Sequence, residues 1–122
     1  MSREQENPIE VLFYPACIPK MPVRKTLVPD PDFGMLKTMQ NTVDGYIEII
    51  PHPIYPDLRI VCNEEGKMLN LNWNRNLFID GVIKDAIFGD FFICRRNHEG
   101  TRLVSLTEED FEFLMIKDRS LT

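Results

Sequence analysis

Residues 63–76 read NEEGKMLNLNWNRN. The stretch opens on Asn-Glu-Glu-Gly, a turn sequence: asparagine hydrogen-bonds its own backbone two residues on, and glycine takes positive φ. It closes on asparagines at 70, 72, 74 and 76, alternating with Leu71, Trp73 and Arg75. Upstream, Leu58–Asn63 alternates with the period of a strand, Leu58, Ile60 and Cys62 on one face and Arg59, Val61 and Asn63 on the other. The turn therefore predicts a hairpin pairing Leu58–Asn63 with the stretch that runs from Lys67 into the asparagines, closed by a type I turn and a glycine bulge. The same form, Asn-x-Glu-Gly, recurs at 97–100 between Phe91–Arg96 and residues 102–106, which predicts a second hairpin.

Outward from these, Ile9–Tyr14 is a strand bounded by Pro8 and Pro15. The proline-rich passage that follows leaves room only for a short edge strand at 23–28. A first helix is expected with Asp30 as cap and Pro31 at its first position, apolar residues at Phe33, Leu36, Met39 or Gln40, and Val43, and Gly45 as its left-handed stop. Residues 46–50 are a strand. Thr107 and Asp110 form a variant capping box for a C-terminal helix with Phe111, Leu114 and Met115 on its apolar stripe, widened by Phe113 and Ile116. Gly89-Asp90 marks a bend. For 76–83, around the Asp80-Gly81 turn signal, periodicity does not choose between a short helix and a tight hairpin. The expected fold is one α+β domain at 9–119 behind a flexible tail at 1–8: a mostly antiparallel sheet with two hairpins, one helix after the first strand and one at the C-terminus.

The chain's 122 residues suffice for a core without disulfides. Its three cysteines are odd in number, and Cys62 and Cys94 fall in apolar strands, where they read as small buried side chains. A net charge of −5 and no basic stripe disfavour nucleic acid. No apolar run is long enough for a bilayer, and MSREQENP is no secretory signal, so a cytoplasmic protein is expected. No nucleotide, zinc-protease or hydrolase motif occurs, and no metal site or cofactor is expected. His52 and His98 sit in loops and read as facing water. No positioned acid–base pair is legible, so no enzyme is expected.

Trp73 and Arg75 are residue types that dominate binding hot spots, and alternation places them together, opposite the asparagines. The plainer reading makes the asparagines one solvated strand face or an irregular segment, since asparagine is a poor β-former. Arg75 also has the option of pairing with Glu48 or Glu65.

Gly45-Tyr46-Ile47-Glu48, Asn63-Glu64-Glu65-Gly66-Lys67, Asn74-Arg75, Gly89-Asp90 and Ser105-Leu106-Thr107-Glu108-Glu109 together resemble a family of small bacterial, phage and mobile-element proteins known only as a domain of unknown function. The resemblance runs from about residue 43 to 116 and implies a compact α+β domain without a transferable activity. The expected function is a non-enzymatic interaction protein, phage- or mobile-element-encoded, that binds a host protein such as a defence component. The expected binding residues are Glu65, Trp73, Asn74 and Arg75. The alternative is a module binding a nucleotide or metabolite near Glu65, Asn74 and Arg75; homo-oligomerisation stays open.

Overall fold

Phe91, Phe92, Ile93 and Cys94 all have zero exposure. A strand that apolar on both faces needs cover on both, and it sits at the middle of the sheet. The computed structural model describes residues 6–122. In chain order these form β1 (Ile9–Tyr14), β2 (Val23–Leu27), α1 (Gly34–Val43), β3 (Ile47–Pro51), β4 (Leu58–Asn63), β5 (Trp73–Ile79), β6 (Val82–Phe88), β7 (Phe91–Arg96), β8 (Leu103–Val104) and α2 (Glu108–Glu112), the last running on into a π-helical turn at Phe113–Lys117. The main sheet has the order β2-β1-β7-β4-β3, with β8 also on β7, and every pairing is antiparallel. β5 and β6 form a separate ribbon. The architecture is thus α+β and mostly antiparallel, as expected.

Alternation along the central strands creates two apolar layers. Leu12, Tyr14, Leu58, Ile60, Phe91 and Ile93 face Leu77 and Ile87 of the ribbon and Phe111, Leu114 and Leu121 of the C-terminal segment. Val11, Val61, Phe92 and Cys94 face Met35, Met39 and Val43 of α1. Cys62 and Cys94 are buried thiols; burial pushes both pKa values up to about 12, far from reactive thiolates.

The first expected hairpin is not formed. β4 pairs with β3 on one side, Glu48 opposite Cys62, and with β7 on the other, Ile60 opposite Ile93. Both hydrogen-bonding edges of β4 are thereby taken, and the unbroken apolar run of β7 covers it where the asparagine stretch alternates apolar with polar residues. Residues 64–70 are turns instead, with Asn70 at φ 54°. The ribbon's own turn is Asp80-Gly81, at φ 52° and 77°, the double positive φ that suits a two-residue hairpin. Residues 76–83 are therefore hairpin. The second expected hairpin is present as β7–β8, its turn held by Asn97 Oδ1 accepting from Thr101 and Arg102 N–H at 2.8 and 3.1 Å.

The helices shift from their expected places. Asp30 Oδ1 accepts from Asp32 and Phe33 N–H, both at 2.9 Å, but this closes a turn, and α1 starts only at Gly34. Glu6 Oε1 takes the Met35 N–H at 2.8 Å, so this part of the expected tail is engaged; residues 1–5 of it lie outside the described residues. The later start turns Met35, Met39 and Val43 inward and leaves Phe33 and Leu36 exposed. Asp44, at φ 61°, holds the left-handed stop expected of Gly45. Gly45 is needed for space: a Cβ there would lie 2.6 Å from Asn63 Nδ2, which caps the Val43 and Asp44 carbonyls at 3.1 and 3.0 Å. The Thr107–Asp110 capping box is complete in both directions. The π-helical turn after it, closed by Asp118 N–H to the Phe113 carbonyl at 2.9 Å, leaves Met115 and Ile116 exposed, so the apolar stripe is narrower than expected. Among the described residues no helix is long and apolar enough to cross a membrane.

Candidate functional site

Asn74 stands at a bulge in β5: Trp73 lies opposite Phe88 and Arg75 opposite Ile87, so one extra residue intervenes. The bulge turns the Asn74 side chain inward, where it has zero exposure. Its Nδ2 donates to the Tyr14 and Gly89 carbonyls, both at 2.9 Å, and its Oδ1 accepts from the Arg75 guanidinium at 2.9 Å. The asparagines are therefore not one solvated face. Asn74 bolts the end of β1 to the turn that joins β6 and β7.

Arg75 is half-buried and reaches neither Glu48 nor Glu65. Its guanidinium donates to Asn74 O at 3.0 Å and to the Lys20 carbonyl, and lies 5.5 Å from the Tyr14 ring centroid. Burial lowers its pKa below the usual arginine value. Lys20 closes the circuit: its ammonium sits 4.5 Å from the Trp73 ring centroid and donates to Trp73 O at 2.9 Å. The Trp73 indole N–H donates to Asn76 Oδ1 at 3.1 Å, on the side where alternation had put no asparagine. Ala16 N–H donates to Asp90 Oδ1 at 2.8 Å. The loop at 15–22 is thus strapped onto β5 and the start of β7 by backbone-directed bonds. It nevertheless displays Ile18 at 90% and Met21 at 71% exposure. Trp73, at 40%, lies under the Lys20 ammonium of this loop.

Glu65 belongs elsewhere, in the 63–66 turn, its N–H on Asn63 Oδ1 at 2.7 Å and its carbonyl on Leu69 N–H at 2.9 Å. The expected quartet therefore divides: Trp73, Asn74 and Arg75 are together, and Glu65 is not with them. A cleft of about 300 Å³ between β3, β4, the 63–68 turn and β6 gathers Glu48, Asn63, Glu64, Gly66 and Lys67, with Asp85 from β6. Lys67 and Asp85 pair across it. Gly66 comes close to β6, where a Cβ would lie 2.6 Å from the Phe88 carbonyl.

The cleft and the bulge thus collect residues from segments far apart in the chain that share one sequence pattern. A family model described as Domain of unknown function (DUF3846) matches residues 16–119. The chain belongs to the DUF3846 family. No curated protein and no solved structure matches it.

The DUF3846 domain also holds a polar network that its sequence conceals. His52, expected to face water, is 1% exposed; His98 is exposed as expected. His52 Nε2 lies 3.0 Å from Asp118 Oδ2 and 3.1 Å from Ser120 Oγ. Its Nδ1 accepts from Ile54 and Tyr55 N–H at 3.1 and 3.3 Å. An Nδ1 that accepts carries no proton, so the proton is on Nε2 and points to Asp118. Ser120 Oγ donates to Asp118 Oδ1 at 2.6 Å. These are the residue types of a hydrolase triad in a different arrangement. The imidazole has no free lone pair to take the Ser120 proton, and serine and aspartate share one ring nitrogen rather than flanking the ring. What the network does is anchor the chain end: Ser120 O accepts from Phe78 N–H at 2.7 Å, and Leu121 bridges to Leu77 on β5. No local signal in the sequence links His52 to residues 66 and 68 positions away.

Burial opposes ionisation of Asp118, but hydrogen bonds from His52 and Ser120 outweigh it and hold the carboxyl below its usual range. At Asp110, burial is likewise outweighed, here by the Arg95 fork at 2.8 and 2.7 Å and by Thr107. Depressed native pKa values stabilise the fold above the unfolded value of 3.8 and lose that stabilisation as pH falls through the native ones. Urea unfolding is therefore expected to show little carboxylate-linked loss above about pH 5 and a steep loss below about pH 4. Asp118→Asn should make the acid limb shallower; an unchanged limb would remove Asp118 from this role.

Proposed function

We propose that this DUF3846 protein is a phage- or mobile-element-encoded, non-enzymatic interaction module whose partner is a host protein. One observation carries the reading: the 15–22 loop is fastened by Lys20, Arg75 and Asp90, yet presents Ile18 almost fully, and most of Met21, to water. An ordered loop that holds apolar side chains outward is a recurrent form of recognition surface. In this reading Trp73 supplies part of the contact, while Asn74 and Arg75 shape it.

The double variant Ile18→Asp, Met21→Asp touches no buried contact and should melt within about 2 °C of the parent, since exposed substitutions cost little. A protein enriched by the parent from its host's lysate should fall at least tenfold with the variant. Undiminished enrichment would reject this surface. A second reading, a small-molecule module, attaches to the Glu48–Lys67–Asp85 cleft rather than to Arg75, whose guanidinium is already engaged. A small bound mass in native mass spectrometry of the gently purified protein, with no partner protein, would favour it.

A further inference from the structure

β3 is an edge of the main sheet. Tyr46 O accepts from Glu64 N–H at 2.8 Å, and His52 N–H donates to Leu58 O at 2.9 Å. Backbone groups alternate direction along an antiparallel strand, so 46, 48, 50 and 52 point their backbone at β4. Ile47 and Ile49 then point theirs outward, and among the described residues no other strand pairs with that side. Pro51, at the next outward position, has no N–H to offer, which suits an edge.

The two faces beside this edge differ in chemistry. On the α1 face lie Ile47, packed against the Met39 and Val43 layer, and Ile49, 47% exposed. On the other face Glu48 and Glu64 line the cleft, and neither has a cationic partner among the described residues; the cleft's Lys67 is paired with Asp85. From free backbone groups, an apolar face and an uncompensated acidic face, we infer that β3 accepts an extended segment of a partner protein in which basic and apolar side chains alternate. The segment adds a strand to the sheet. Its backbone bonds to Ile47 and Ile49, its apolar side chains lie against Ile49, and its cations lie over Glu48 and Glu64. A second copy of β3 would set Glu48 near its own counterpart and fits less well. This surface is separate from the 15–22 loop and does not depend on it.

The test uses the full chain and fluorescein-labelled hexapeptides, read by anisotropy and by amide exchange. A peptide of alternating valine and lysine should bind at least tenfold more tightly than one of alternating valine and glutamate, and than a block of three valines then three lysines. It should also slow exchange at the Ile47 and Ile49 amides at least tenfold. Ile49→Pro removes one outward N–H without touching the β3–β4 bonds, so it should fold and bind at least tenfold more weakly. Glu48→Lys should move the preference towards the glutamate peptide. Equal binding of the block peptide, undiminished binding to a folded Ile49→Pro protein, or protection elsewhere than β3 would overturn the inference. So would no binding at all, or self-association through β3 that excludes the peptide.

Discussion

His52→Leu is expected to destabilise the protein by about 3–5 kcal/mol, from a lost hydrogen bond to a charged group together with buried N–H groups left without an acceptor. Asp118, its side chain 2% exposed, would keep only Ser120, and the Ile54 and Tyr55 N–H groups would lose their acceptor. Over a chain of this size that corresponds to a fall in Tm of roughly 10–20 °C. The double variant His52→Leu, Asp118→Leu removes the orphaned carboxylate as well, so it should be less destabilised than the two single effects summed, by more than about 1 kcal/mol. Urea unfolding of the four proteins measures the coupling. Additive single effects would mean that the network does not act as a unit. Because the segment it anchors lies on β5 through Leu121 and Ser120, hydrogen exchange in His52→Leu should accelerate first at Phe78.

Asn74→Ala should cost about 3 kcal/mol. It strands the buried Tyr14 and Gly89 carbonyls and removes an acceptor from Arg75, each a penalty of about 1–3 kcal/mol, partly relieved if water enters. Arg75 would keep the Asn74 and Lys20 carbonyls but lose its side-chain acceptor, which loosens the strap on the 15–22 loop. The variant should therefore bind a partner more weakly even under conditions where it is folded. Asn74→Asp should be no better tolerated, because a carboxylate has no donor for either carbonyl. A loss of less than about 1 kcal/mol in urea unfolding would show that the bulge does not depend on this side chain.

Features that depend on neighbours in the chain were the legible ones. The Thr107–Asp110 capping box spans four residues, and the 97–100 turn closes on itself beside the apolar run of β7, although the central place of β7 in the sheet was not read. The β5–β6 ribbon was also locally encoded, in Asp80-Gly81, but the Asn63–Gly66 turn offered a competing hairpin. Nothing local shows that β4 already has two apolar neighbours. The site residues were legible by type and not by role. Asn74 looks like part of a polar stripe because its partners Tyr14 and Gly89 are 60 and 15 residues away, and because a bulge breaks the alternation on which the stripe rests. His52, boxed between prolines, looks like a surface loop residue until the chain end is folded back onto it. The display of Ile18 and Met21 depends on Lys20 meeting Trp73, 53 residues on, and has no signature within the proline-rich passage itself.

The proposed partner surface is the 15–22 loop, braced by Trp73, Asn74 and Arg75. A photo-crosslinking amino acid placed at position 18, and in a parallel protein at the exposed His98, tests it in living host cells. Position 18 should yield one discrete protein adduct, lost when Met21→Asp is added, while position 98 should not yield it. No adduct from position 18, or the same adduct from both positions, would contradict the account.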